Sequence, residues 1–133
     1  MDLVERYVTL WNETDASARR KAIELLWPED GVHLLQPPRE MRDRATALGF
    51  ADAVLAARGY AAIEERVRRG HEEFLAPAGV TLRARGNTDR LGDVVKFGWE
   101  LVDGGGQVRS TGLEVLTLAA DGRIAVDHQV FES

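Results

Sequence analysis

The chain contains no cysteine, which removes disulfides, thiol nucleophiles and thiolate metal centres together. It also lacks any apolar run near the roughly 20 residues a membrane helix needs. Charges break each hydrophobic stretch within a few residues, so no membrane partner is expected. The start, Met1-Asp2-Leu3-Val4-Glu5-Arg6, has neither the basic opening nor the apolar core of a secretory signal. A cytoplasmic location is the default expectation. Basic charge is in deficit: 17 basic against 22 acidic residues give a formal charge of −5, and an acidic domain repels a phosphate backbone. The densest basic cluster, Arg66, Arg68 and Arg69, is flanked by Glu64, Glu65, Glu72 and Glu73, the pattern of i,i+4 pairs on a solvated helix face. No nucleic-acid partner is expected.

Several chemical signatures are missing as well. There is no H-x-x-x-H spacing and no glycine-rich loop ahead of a helix, and Ser17, Ser110 and Ser133 have no G-x-S-x-G setting. These absences predict no metal, no cofactor and no serine nucleophile.

What remains is 133 residues, 44% hydrophobic and 29% charged, the size and composition of one domain spanning residues 1–133. Its first half reads as helices. Val4, Tyr7, Val8 and Trp11 recur at the spacing of one buried helical face, and Asn12 to Asp15 supply a break and a new N-cap. A second helix from about Ala16 to Trp27 turns Ala22, Ile23, Leu26 and Trp27 inward, and Pro28 ends it. Gly31 to Gln36 reads as a short strand closed by Pro37-Pro38. From Glu40 to Arg58 the pattern is helical again, with Ala47, Phe50, Ala51, Val54 and Leu55 on one side. A further helix, about Tyr60 to Leu75, should bury Ile63, Val67, Gly70, His71 and Phe74 before Pro77-Ala78-Gly79 terminates it.

The second half changes period. Val80 to Arg85, Asp93 to Val102, Val108 to Leu118 and Arg123 to Phe131 are β-rich runs joined by short glycine-containing turns. Four such strands predict an antiparallel meander, with Gly98 and Gly112 marking bulges or bends. Helices first and a meander after give an α+β class with the helices on one face of the sheet. Val95, Phe97, Trp99 and Leu101 form one apolar strand face, core in any case and suited to a flat or hydrophobic ligand where it borders a pocket. On the last strand, alternation sets Ala125, Asp127, Gln129 and Phe131 on one face and Ile124, Val126, His128 and Val130 on the other.

This order of elements resembles the NTF2-like superfamily, in particular its SnoaL-like, polyketide cyclase-like branch. The resemblance is carried by Arg6-Tyr7-Val8-Thr9-Leu10-Trp11-Asn12, by Val95-Lys96-Phe97-Gly98-Trp99-Glu100, and by Asp121-Gly122-Arg123-Ile124 leading into Asp127-His128-Gln129-Val130-Phe131. It implies a cone-shaped, curved antiparallel sheet packed against N-terminal helices, a cystatin-like α+β barrel, around a pocket for a small hydrophobic or aromatic molecule, often in a homodimer. The segment from Glu40 to Arg58 exceeds what minimal members carry and would lid or narrow the pocket mouth.

Matched to the steroid delta-isomerases of that superfamily, Tyr7 takes the tyrosine position, Glu114 the acid position, and Gln36 the position of the aspartate that moves a proton from carbon. Glutamine cannot be a general base, so that mechanism does not carry over unaltered. The resemblance turns the Asp127 face into the cone, where SnoaL-type cyclases place an aspartate acid/base; a carboxylate in apolar surroundings acquires the raised pKa such work needs. Asp127 is therefore the first candidate, with Glu114 and Tyr7 as catalytic partners. Trp11, Gln36, His71, Phe97, Trp99 and Gln129 are candidate ligand contacts. The implied activity is cofactor-independent isomerase, cyclase or hydrolase chemistry. The competing class is a noncatalytic ligand-binding or dimerisation module, in which Asp127 pairs with an arginine such as Arg123 and His71 is a satisfied core histidine.

Overall fold

A computed structural model describes residues 1–50 and 54–132. Helix α1 (Leu3–Asn12) is capped by Asp2, whose carboxylate accepts from Glu5 N, and α2 (Ala16–Leu26) by Asp15, which accepts from Ala18 N. Strand β1 (Val32–Leu35) and helix α3 (Arg39–Ala47) follow, then β2 (Leu55–Arg58) and α4 (Tyr60–Arg69). The chain runs on as one π-helix over Gly70–Leu75 and a short α5 (Ala76–Ala78), which Gly79 stops at φ 68°. The second half is β3 (Val80–Ala84), β4 (Asp89–Leu91), β5 (Val94–Asp103), β6 (Val108–Leu118) and β7 (Ile124–Glu132). No helix among the described residues is long and apolar enough to cross a membrane.

The expected meander is present as β3-β5-β6-β7, but the sheet extends further, in the order β2-β1-β7-β6-β5-β3 with β4 paired to β5. Two expectations are corrected. Strand β1 runs parallel to β7, so the sheet is mixed, and it ends at β2 and β3 without closing into a barrel. The parallel register sets Val32 beside Val126, His33 beside Asp127 and Leu35 beside Gln129. No local pattern encodes that pairing.

The expected helix from Glu40 to Arg58 stops at Ala47. Gly49 adopts φ 91°, a conformation glycine reaches without strain, and Leu55–Arg58 pairs instead with the open edge of β1. Phe50 and Val54 are exposed, not on a buried helical face, and Ala51 lies outside the described residues. Part of the turn expected before the second strand, Asp89, begins β4. In the helix after Gly59, the wider π turn inserts a residue into the 3.6-residue period, so Leu75 faces inward and Phe74 is exposed.

Bulges also sit elsewhere than Gly98 and Gly112. The register shifts at Leu101/Val102 and at Thr117/Leu118. At the second, Leu118 pairs with Ile124 and Thr117 with Val126, leaving Ala125 as the extra residue. That flips parity along β7, so Ile124 is buried together with Asp127 and Gln129.

The glycines serve a different purpose: each tryptophan lies against one. A Cβ on Gly112 would stand 2.0 Å from Trp99 Cζ2, one on Gly70 2.8 Å from Trp11 Cζ3, and one on Gly31 2.7 Å from Trp27 Cδ1. Gly112 is the cross-strand partner of Trp99, and the indole occupies the space a side chain would fill. Gly112→Ala is expected to cost about 1–3 kcal/mol, because the ring cannot yield without repacking. Urea unfolding would measure it, and an unchanged midpoint would show that the indole moves freely.

Candidate active site

The inward faces of the sheet and of α1, α2 and α4 share one core containing Tyr7, Trp11, Trp27, Phe97, Trp99 and Leu116. Polar groups interrupt this apolar surface on adjacent strands. Glu114 pairs across the sheet with Phe97 on one side and Gln129 on the other, while Asp127 pairs with Leu116 and His33. Glu114 and Asp127 are both 0% exposed and His33 only 1%, a depth at which acids and imidazoles need partners.

Tyr7, on the inner side of α1, joins the two acids. Its Oη lies 2.9 Å from Glu114 Oε2 and 2.6 Å from Asp127 Oδ2. A hydroxyl has one proton to donate, so one of the two oxygens must donate to it. Burial, followed by the Asp127 and Glu114 charges, holds the phenol well above its ordinary pKa of 10.0, and it stays protonated. Burial, followed by the Asp127 charge, also pushes the Glu114 carboxyl well above the usual carboxylate range. The Trp99 indole opposes this weakly, without reaching hydrogen-bond geometry. The order that satisfies all three groups is Glu114 O–H donating to Tyr7 and Tyr7 O–H donating to Asp127 through the shorter contact. Glu114 Oε1 and Asp127 Oδ1 are buried without a partner among the described residues.

His33 is held from both ends. Arg66 Nη1 donates to its Nδ1 at 2.9 Å and to the Leu55 carbonyl at 3.3 Å, and the ring's Nε2 stands 2.9 Å from Gln129 Oε1. Because a guanidinium cannot accept, Nδ1 must, and the ring proton therefore sits on Nε2. Burial, the largest cause, lowers the ring's pKa against the opposing Asp127 charge, so it remains neutral. Asp127 Oδ2 is 3.7 Å from this N–H.

His33, Glu114 and Asp127 bring potential ligand atoms within 4.8 Å of one another. The imidazole nevertheless has no lone pair to give a cation: one nitrogen accepts from Arg66 and the other carries hydrogen. Zinc or manganese should accordingly leave the melting temperature unchanged. A saturable upward shift in thermal denaturation would overturn this account of the ring.

Of the residues singled out in the sequence, Tyr7, Glu114, Asp127, Trp11, Phe97, Trp99 and Gln129 are buried. The Tyr7 ring meets Phe97 edge-on at 5.6 Å and Trp11 at 6.4 Å. Gln36 sits at the sheet's end, where its Oε1 accepts from Phe131 N and its own N–H donates to the Gln129 carbonyl, prolonging the β1–β7 pairing. His71 lies half-buried on the π-helix, and no hydrogen bond joins it to the Tyr7 cluster. Its Nδ1 has no partner among the described residues. Arg123 pairs with Asp121, not with Asp127.

Three members were missed. His33 stands in the string Val-His-Leu-Leu, which has no polar alternation to reveal its facing. Trp27 was expected only as core, yet it lies 6.0 Å from the Tyr7 ring. Arg66 was assigned to a solvated face; Arg68 does pair there with Glu65 and Glu72, but Arg66 is half-buried against His33. Its position one residue before buried Val67, at the margin of the apolar stripe, was the available signal.

Among solved structures, the chain is similar to a suggested isomerase of the SnoaL-like family from Agrobacterium tumefaciens, with TM-score 0.77 and 21% identity, covering 98% of this chain and 95% of that one. The chain has the SnoaL-like, NTF2-like fold. A protein with a ketosteroid isomerase-like fold from Catenulispora acidiphila, in complex with trimethylamine, matches at TM-score 0.61 and 16% identity over 98% of this chain and 85% of that chain. The epoxide hydrolase/cyclase-like enzyme SalBIII of pyran ring formation in polyether salinomycin matches at TM-score 0.60 and 18% identity, over 98% and 88%. No family model matches the sequence, and no curated protein does.

Proposed function

We propose that this chain is a cofactor-free acid–base enzyme of the isomerase, cyclase or hydrolase type, acting on a small hydrophobic or aromatic molecule. The observation that carries this is the pair of buried carboxyls on one tyrosine hydroxyl, each with an oxygen that has no partner among the described residues. Two acids that differ in protonation within one apolar site provide a base and an acid together. Asp127 takes a proton from the substrate, Glu114 returns one to a developing oxygen or carbon, and Tyr7 relays between them. Trp11, Phe97 and Trp99 form the apolar wall. The structural likenesses to a suggested isomerase and to an epoxide hydrolase/cyclase-like enzyme fit this class of chemistry.

Native mass spectrometry of freshly purified protein, beside its denatured mass, is the first test. The expected spectrum is a homodimer carrying a co-purified neutral molecule, which then defines the substrates to assay. A ligand that binds tightly and is never converted, or exchanged with solvent deuterium, would sink the enzyme reading in favour of a noncatalytic binding module.

A further inference from the structure

The polarity of the Arg66, His33 and Gln129 chain is fixed from its surface end. Arg66 only donates, so His33 Nδ1 accepts and His33 Nε2 carries the proton. Nε2–H lies 2.9 Å from the Gln129 carboxamide, which must present its oxygen there, since the flipped amide would set N–H against N–H. The Gln129 NH2 group is therefore turned away from His33, and it meets no acceptor among the described residues. Gln129 is 8% exposed and sits directly across from Glu114, whose Oε1 is likewise unpartnered among the described residues.

We propose that Arg66 and His33 act as positioning residues that lock the Gln129 carboxamide so that its NH2 donates to an uncharged oxygen acceptor of a ligand on an apolar frame. This rests on the reading of the interior as a substrate site and names the atom recognised there. The ligand offers its oxygen to Gln129 and a neighbouring acidic C–H or O–H to Asp127 Oδ1, the buried acceptor without a partner. Gln129→Glu keeps the shape but puts an acceptor where the donor stood, so affinity should fall about 10–100-fold, as when a site built to donate meets an unmatched oxygen.

Nitrogen NMR of the isotopically labelled full chain reads the relay directly. In wild type the His33 ring should show its proton on Nε2; Arg66→Met, which removes the donor that occupies Nδ1 and a charge that lowers the ring's pKa, should let part of the population carry the proton on Nδ1 and should move the ring's titration upward from that of wild type. Carbonyl-labelled indanone is the ligand probe, followed by infrared difference spectroscopy. Its carbonyl band should move to lower frequency in wild type and move less in Gln129→Glu and Arg66→Met. A wild-type ring protonated at Nδ1 overturns the relay. A band that behaves identically in wild type and Gln129→Glu, absence of any shift included, overturns the donor assignment. Both signals are read without turnover, so a band-shifting but inert protein would defeat the catalytic reading and leave this one standing.

Discussion

Asp127→Asn is expected to lower kcat by about 10²- to 10⁴-fold, the range for removing a general acid or base, while ligand affinity stays close to that of wild type. Asparagine fills the same volume and keeps an oxygen to accept from Tyr7 across the 2.6 Å contact, so the aromatic wall around it should hold its place. What is lost is the capacity to take a proton. Loss confined to kcat marks an interaction made in the transition state, whereas a rise in KM alone would mark a binding role. The variant should also alter the pH profile in a defined direction. The Asp127 charge is the second-largest cause of the raised Glu114 pKa, so removing it lets Glu114 titrate lower and moves the limb belonging to the acid toward acidic pH. Stopped or steady-state kinetics on the substrate found by mass spectrometry would supply both readings. Full activity in Asp127→Asn would end its assignment as the base.

The two halves of this site differ in how far the sequence exposes them. Tyr7 could be placed because α1 carries a helical stripe uninterrupted by glycine or proline, whereas Glu114 was singled out by resemblance to the acid position of the steroid delta-isomerases, and the alternation of β6 from Gly112 to Leu118 accounts for its burial. Asp127 was placed on the correct face for a reason that held only locally: the bulge at Ala125 reverses parity upstream, where Ile124 turned out buried. His33 could not be placed at all. Its facing depends on the parallel pairing of β1 with β7, a contact between residues 33 and 127 that leaves no mark on periodicity. Arg66 failed for a related reason, since the i,i+4 charge pattern that describes Arg68 correctly says nothing of the arginine two residues before it, turned toward a sheet built elsewhere in the chain. The helix expected from Glu40 to Arg58 failed beyond Ala47 because an amphipathic spacing competes poorly with an open strand edge once Gly49 has broken the rod. Residues that act through local period were visible, and those that act through strand pairing were not.

The stability contributed by Glu114 should fall as pH rises above the ordinary glutamate value of 4.5, and Glu114→Gln should abolish that loss. A carboxyl whose folded pKa is raised contributes stability that is complete below its unfolded pKa and is lost as pH climbs toward the folded value. Wherever Glu114 is protonated in the fold and ionised in the unfolded chain, the slope approaches about 1.4 kcal/mol per pH unit. Of the other shifted groups in the cluster, one acts in the opposite sense at acidic pH and one only at the alkaline end. His33, with a lowered pKa, contributes stability that is present above about pH 6.5 and lost as pH falls. Tyr7, with a raised pKa, loses its contribution only above about pH 10. Glutamine at 114 carries an NH2 that can donate to Tyr7 as the protonated acid does, so the variant should match wild type at acidic pH and exceed it increasingly as pH rises. Chemical denaturation at a series of pH values gives both curves. Parallel slopes would show that Glu114 is already ionised in the folded protein, and the proton order from Glu114 through Tyr7 to Asp127 would have to be reversed or abandoned.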